Sequence, residues 1–216
     1  MISTILFDLD GTIIDSEALA FRAILDSAGA WGVPVKREDA ASIAGKKWSV
    51  AFDLLYEKYE FPLTKAEASL KIVSRYKELL SQEICVVPGV VEAIKDFSAH
   101  FRLGLVSGSY REDILWALKR LQVDSLFEVV LGAEDYPNSK PAPDGYAKAL
   151  QLMRVKPTEA LVFEDSSPGI ASAIAAGIAV VAVTSTNHFN QDLSSATASI
   201  PDFMNVNANW VRNLGK

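Results

Sequence analysis

A chain of 216 residues, half of them hydrophobic, is long enough to bury a core and to carry one ordinary domain with a substantial insertion. Its 21 basic residues face 27 acidic ones, a formal net charge of -6, and no lysine or arginine run forms a nucleic-acid footprint, so any anionic ligand must be held by local groups. Cys85 is the only cysteine, which excludes an intramolecular disulfide and a thiolate zinc cluster and fits a reducing cytoplasm.

The first apolar run, Ile2 to Phe7, has no basic region before it and is broken at once by charge. It therefore reads as a buried strand rather than a signal peptide. It ends in Asp8-Leu9-Asp10-Gly11-Thr12. Side chains two apart on an extended segment share a face, ~7 Å apart along the backbone, and the glycine lets the chain turn sharply. Such a carboxylate pair could attack phosphorus with one member and manage a proton with the other.

From Ser16 to about Cys85 the periodicity becomes helical, with apolar residues at three and four spacing over Leu19 to Ala28, Val50 to Tyr59 and Lys65 to Leu80. This stretch is far longer than one crossover between parallel strands requires. We expect residues 16–85 to form a helical cap domain inserted into a core made of residues 1–15 and 86–216, with Val87-Pro88-Gly89 marking the return.

Buried strands are then predicted at Leu103 to Val106, Val129 to Leu131, Leu161 to Phe163 and Ile178 to Val183, with helices between the later ones. Ser109 followed by Glu112 reads as a capping box for a helix to about Leu121. Ser167 before Pro168 reads as the N-cap of a helix ending at Gly177. The apolar stretch Gly169 to Val183 falls short of the ~20 residues that span a bilayer, so no membrane association is expected. Strand, helix, strand repetition implies an open α/β parallel sheet.

Three more polar motifs end these strands: Ser107-Gly108-Ser109, Ser139-Lys140-Pro141 and Glu164-Asp165-Ser166. Ligands of open α/β sheets bind at the strands' carboxyl ends, where all four motifs fall. Asp8 is the candidate nucleophile and Asp10 the candidate general acid and base. Asp8, Glu164 and Asp165 make an oxygen-rich site that suits Mg²⁺. Lys140 supplies a fixed positive charge, and Ser107 with the amides of Gly108 and Ser109 is placed to donate to phosphoryl oxygens. Asp8 to Glu17 lacks the spacing of a calcium loop, and no P-loop sequence is present.

Ile5-Leu6-Phe7-Asp8-Leu9-Asp10-Gly11-Thr12, Val106-Ser107-Gly108, Lys140-Pro141 and Phe163-Glu164-Asp165-Ser166, with Gly169 and Ala176-Gly177 behind, resemble the four motifs of the haloacid dehalogenase superfamily. The helical insertion after the first motif resembles its C1-cap subfamily, which includes β-phosphoglucomutase and sugar-phosphate phosphatases. The resemblance covers essentially the whole chain. It implies a Rossmann-like core and Mg²⁺ bound by Asp8, the main-chain carbonyl of Asp10 and Asp165, with Glu164 a ligand or an outer-shell partner.

Members that cleave carbon–halogen bonds lack the second aspartate of the first motif, which is present here as Asp10, so phosphate-ester chemistry is expected. β-Phosphoglucomutase-like members carry a histidine where this chain has Ala20 and an arginine where it has Trp48. Both differences favour hydrolysis over phosphoryl transfer between sugars, the alternative reading. A non-catalytic binding protein of the same fold is a third reading, opposed by Asp8, Asp10, Lys140 and Asp165 standing together.

Gly45-Lys46-Lys47-Trp48 lies where the family's specificity loop would lie. Lys46 or Lys47 is expected to meet an anionic or hydroxylated leaving group while Trp48 packs on it. Thr12 and Arg111 join them as candidate substrate-binding residues. His100 and His188 fall in no motif, which favours surface or loop roles. The sum is a monomeric, cytoplasmic Mg²⁺-dependent phosphatase of small phosphorylated metabolites, whose cap opens to admit substrate and closes to exclude water.

Overall fold

The computed structural model describes residues 1–42, 48–82, 84–188 and 190–214. In chain order the elements are β1 (Thr4–Phe7), α1 (Ser16–Ala30), α2 (Arg37–Ser42), α3 (Trp48–Lys58), α4 (Lys65–Gln82), α5 (Val90–Ser98), β2 (Arg102–Val106), α6 (Arg111–Arg120), β3 (Val129–Leu131), α7 (Asp144–Met153), β4 (Ala160–Glu164), α8 (Ser167–Ala175), β5 (Ala179–Val183), β6 (Ala198–Ile200) and α9 (Ala208–Asn213). They fall into two units, Met1–Ile14 with Val86–Lys216, and Asp15–Cys85.

The first unit is built on a six-stranded sheet in the order β3-β2-β1-β4-β5-β6, every pair parallel. The chain extends the sheet one way from β1 through β2 to β3, then returns beside β1 and extends it the other way. The order reverses next to β1, and such a switch point opens a crevice beyond the strand ends. Phe7 stands opposite Leu105 on one side and Phe163 on the other, so Asp8, Ser107 and Glu164 emerge at the same edge.

Alternation along the strands decides which side each of them faces. Phe7 and Phe163 stack at 5.4 Å on one side of the sheet, where Phe97 and Phe203 join them. Leu6 and Val162 face the other side, in a core with Val106, Tyr146, Met153 and Ile170. Asp8 and Glu164 lie two residues on from Leu6 and Val162, so both carboxylates project on that second side.

Some local expectations are corrected. No capping box joins Ser109 and Glu112: α6 begins after Tyr110, whose side chain makes no capping bond. Ser166, rather than Ser167, caps α8, its hydroxyl accepting from the Gly169 amide at 3.1 Å. α8 stops at Ala175, and Gly177, at φ 76°, turns the chain into β5. The edge strand β6 is absent from the predicted elements, because Ala-Ser-Ile carries almost no strand signal and only Ile200 in it is buried.

The second unit is helical. Its ends meet where the Asp15 amide donates to the Cys85 carbonyl at 2.7 Å, and Asp15 caps α1 by accepting from Ala18 N. α1 packs along α4. Leu19, Ala23 and Ile24 of α1 and Ala68, Ile72 and Leu79 of α4 are buried, and Arg75 donates to Asp26 at 3.0 Å. The short helix α2, not expected from the sequence, is tied to the end of α3 where Asp39 accepts from Lys58 and from Tyr59 Oη. Trp48 opens α3, stacked on Phe52 and edge-on to Tyr76, each at 5.6 Å. Lys46 and Lys47 lie outside the described residues. Among the described residues no helix is long and apolar enough to cross a membrane.

Candidate active site

Beyond β1 the chain turns tightly, the Ile13 and Ile14 amides both donating to the Leu9 carbonyl at 2.9 and 3.0 Å while the Gly11 amide donates to Ile14 O at 2.6 Å. Gly11 sits at φ 89°, in the left-handed region, and a Cβ there would collide with the Asp165 carboxylate. The glycine thus does two jobs, turning the chain and admitting a second carboxylate against the main chain of the first motif. Thr12 Oγ1 donates to Asp165 Oδ1 at 3.1 Å. Thr12, expected to bind substrate, is instead fully buried and holds Asp165.

Lys140 joins the two central strands. Its Nζ donates to Asp8 Oδ1 and to Glu164 Oε1, each at 2.5 Å, and stands 5.2 Å from the centre of the Tyr146 ring. Burial pulls the Lys140 ammonium down, but the Asp8 and Glu164 carboxylates outweigh it and hold the group well above the usual lysine range. Burial pushes the Asp8 carboxyl well above the usual carboxylate range against the pull of Lys140, and Glu164 and Asp10 add to the push. The peptide between Lys140 and Pro141 is cis.

Glu164 is committed on its other side as well. Its Oε2 accepts from the Asp165 and Ser166 amides, both at 2.8 Å, and from Ser166 Oγ at 3.0 Å. A side chain at Gly169 would collide with this carboxylate, so the glycine makes room for it at the start of α8.

Asp10 is gripped by the second motif. Its Oδ2 accepts from Ser109 Oγ at 2.6 Å and from Ser107 Oγ at 3.2 Å. The Ser109 hydroxyl is therefore engaged by Asp10, which explains the missing capping box. The Ser109 amide donates to Ser107 Oγ at 3.0 Å, and Tyr136 Oη donates to the Ser107 carbonyl at 2.7 Å. A Cβ added at Gly108 would meet nothing within 4 Å, so that side of the loop is open.

The structure thus brings Asp8, Asp10, Thr12, Ser107, Ser109, Lys140, Glu164 and Asp165 together. Arg111 is drawn elsewhere: its amide donates to Glu134 at 3.0 Å and its guanidinium lies 3.7 Å from Asp135. Trp48 belongs to the helical unit. Sequence reasoning missed Tyr136 and Tyr146. Neither sits in a motif; each is one aromatic among several, and only the packing of α7 on the sheet, for Tyr146, and the turn that follows β3, for Tyr136, bring them to the site.

Four carboxylates beside a single lysine, which pairs with two of them, would repel a phosphate dianion, so the donor set calls for a further cation. Among the described residues no three His, Cys, Asp or Glu side chains cluster as a ready ligand set. Mg²⁺ does not require one, since it is commonly held by one or two carboxylates while substrate phosphate and water complete its shell. Asp8 and Asp165, the latter lodged against the Asp10–Gly11 main chain, fit that pattern, while Glu164 faces Lys140 and the amides of α8.

Residues 5–183 match the sequence profile of the haloacid dehalogenase-like hydrolases. The chain is 29% identical over 175 residues to the phosphorylated carbohydrates phosphatase of Thermotoga maritima, covering 81% of each protein. It is 31% identical to validoxylamine A 7'-phosphate phosphatase of Streptomyces hygroscopicus subsp. limoneus, over 95% of this chain and 96% of the other. Among solved structures, CbbY from Rhodobacter sphaeroides in complex with phosphate superposes with a TM-score of 0.77 at 25% identity, covering 94% of this chain and 95% of that one.

Proposed function

This chain belongs to the haloacid dehalogenase-like hydrolase family and is a phosphoric monoester hydrolase, and from that premise we propose that it is a Mg²⁺-dependent phosphatase of sugar or polyol phosphates, working through an aspartyl-phosphate intermediate. The observation that carries the reading is the division of labour between the two aspartates of the first motif. Asp8 is held by a cation, Lys140, and Asp10 by two hydroxyls, Ser107 and Ser109.

In this reading an Asp8 carboxylate oxygen attacks phosphorus and the bond from phosphorus to the leaving oxygen breaks, with Asp10 giving that oxygen its proton. Asp10 then takes a proton from water as the water oxygen attacks phosphorus, and cleavage of the bond to Asp8 releases inorganic phosphate and restores both carboxyl groups. Proton transfer of this kind typically contributes ~10²–10⁴ in rate. Lys140 keeps Asp8 oriented and offsets part of the local negative charge. The Gly108 amide, on the open side of the loop, donates to a phosphoryl oxygen, and Ser107 Oγ and the Ser109 amide join it only by exchanging their bonds to Asp10 and to Ser107 Oγ for bonds to the phosphoryl group. Mg²⁺, held by Asp8, Asp165 and the Asp10 carbonyl, would supply the remaining positive charge and orient the phosphoryl group.

The substrates named for the Thermotoga and Streptomyces relatives, phosphorylated carbohydrates and a 7'-phosphate, support a phosphate ester whose leaving group is a polyhydroxylated alcohol. The test is phosphate release from a library of phosphorylated metabolites with Mg²⁺, run beside a coupled assay for conversion of β-glucose 1-phosphate to glucose 6-phosphate. Release from sugar or polyol phosphates is expected, and turnover in the coupled assay alone would overturn hydrolysis in favour of transfer. Asp8→Asn is expected to abolish release while keeping the wild-type circular dichroism spectrum. Wild-type turnover by that variant would overturn the nucleophile.

A further inference from the structure

The loop that follows β5 reaches both segments that flank Asp165. Thr186, 4% exposed, donates its hydroxyl to the Gly11 carbonyl at 2.6 Å, across 175 positions of sequence. Gly11 is the residue against which the Asp165 carboxylate rests, and its amide is already held by Ile14. With Thr186 in place both sides of the Gly11 unit are fixed. On the far side of Asp165, the Ser167 amide donates to Gln191 Oε1 at 3.1 Å, and Ser167 Oγ donates to the Asp192 carbonyl at 2.5 Å. The same loop therefore also holds the first turn of α8.

Its described residues are tied to one another and to the sheet. Asn187 closes it with two bonds to Gln191, accepting from its amide at 2.8 Å and donating to its carbonyl at 2.9 Å. At its base the Thr184 and Ser185 amides donate to Ile200 O and Pro201 O, at 2.9 and 3.0 Å, tying it to the end of β6. The match to the family profile ends at Val183, so Thr186, Asn187 and Gln191 lie beyond it.

We propose that Thr186 is a positioning residue for the divalent-cation site. By holding Gly11 it sets the gap between the Asp10–Gly11 main chain and the Asp165 carboxylate, while the Asn187–Gln191 brace sets the same carboxylate from the α8 side. The inference rests on the Mg²⁺ reading above. Outer-shell partners of this kind commonly govern metal affinity by 10–100-fold without touching the ion. A merely structural threonine would affect folding alone.

Thr186→Val keeps the shape and removes the donor, whereas Thr186→Ser keeps the donor. Mg²⁺ binding to the whole, substrate-free protein is measured by titration calorimetry, together with the melting temperature of each variant. Val123→Ala, which opens a gap at a fully buried position outside the site, serves as a control for lost stability. Thr186→Val is expected to weaken Mg²⁺ binding by about 10–100-fold, Thr186→Ser to bind as wild type does, and Val123→Ala to melt lower with unchanged affinity. Wild-type Mg²⁺ affinity in a Thr186→Val protein that merely melts lower would overturn the proposal. Should that variant fail to fold, Gln191→Ala carries the same expectation of weakened binding from the other end of the loop. A wild-type protein that takes up no Mg²⁺ would instead overturn the metal reading itself, and this inference with it.

Discussion

Lys140 Nζ meets Asp8 Oδ1 at 2.5 Å although 132 positions separate them in sequence, and neither side chain is more than 14% exposed. The same ammonium serves Glu164, so one cation holds carboxylates from two adjacent strands. Lys140→Ala would leave both uncompensated in a buried setting. Removing one partner of such a pair costs about 3–5 kcal/mol, which urea denaturation would register as a lower midpoint. We expect kcat for phosphate release to fall by at least ~10², the scale for losing a preorganised charge-stabilising donor. A Lys140→Ala protein with wild-type kcat would detach this residue from the chemistry.

Tyr146 isolates the contribution of an aromatic ring beneath that lysine. It is fully buried, and its hydroxyl has the Lys140 ammonium nearby but no partner at hydrogen-bonding distance and angle among the described residues. Burial pushes its phenol well above the usual range, against the pull of Lys140. An orphaned buried polar group costs about 1–3 kcal/mol, so Tyr146→Phe should be at least as stable as wild type and equally active. Tyr146→Leu loses a cation–π contact worth about 2 kcal/mol when desolvated, and should release phosphate up to about 30-fold more slowly. If Phe and Leu variants behave alike in both measurements, the ring has no special bearing on Lys140.

These contacts show which parts of the site were legible in the sequence. Asp8, Ser107 and Glu164 were readable because each follows an apolar strand run, and position at a strand end is a local signal. The cation shared between Asp8 and Glu164 depends on β1 pairing with β4, and pairing order is not written in any one segment. Ser109 is the instructive failure. Its spacing to Glu112 satisfies the rule for a helix cap, yet its hydroxyl lies on Asp10, in the turn after β1 nearly a hundred residues earlier. A tertiary partner outcompeted a local one. Tyr136, Tyr146 and Thr186 were illegible for the same reason, since each acts through a contact that exists only once the sheet is assembled.

Trp48 separates packing from recognition. Its indole stacks on Phe52 and meets Tyr76 edge-on inside the helical unit. Half-buried, it should cost about 1–3 kcal/mol when cut to alanine, below the range for fully buried tryptophan, and Trp48→Phe should recover most of that in the urea midpoint. The phenylalanine variant then reports on substrate contact, because its packing is kept. A changed preference across a panel of phosphate esters would place Trp48 at the leaving group, whereas unchanged ratios would assign it to the scaffold.

Three glycines make a graded test of how the carboxylates are seated. Gly11 is constrained twice, by φ 89° and by the Asp165 carboxylate that occupies the place of a Cβ. Gly169 lacks the backbone constraint but faces the Glu164 carboxylate in the same way, and at Gly108 a Cβ would meet nothing within 4 Å. Backbone strain of the first kind costs about 1–3 kcal/mol, and displacing Asp165 adds to it. Gly11→Ala should therefore lose most stability and nearly all phosphate release. Gly169→Ala should lose activity through Glu164 and Lys140, with a smaller loss of stability. Gly108→Ala should melt within about 0.5 kcal/mol of wild type, as an unhindered surface change does, so any loss of activity there reports on phosphate approach to the loop rather than on folding. Equal melting temperatures for all three variants would contradict the crowding around Gly11 and Gly169 and, with it, the seating of Asp165 and Glu164.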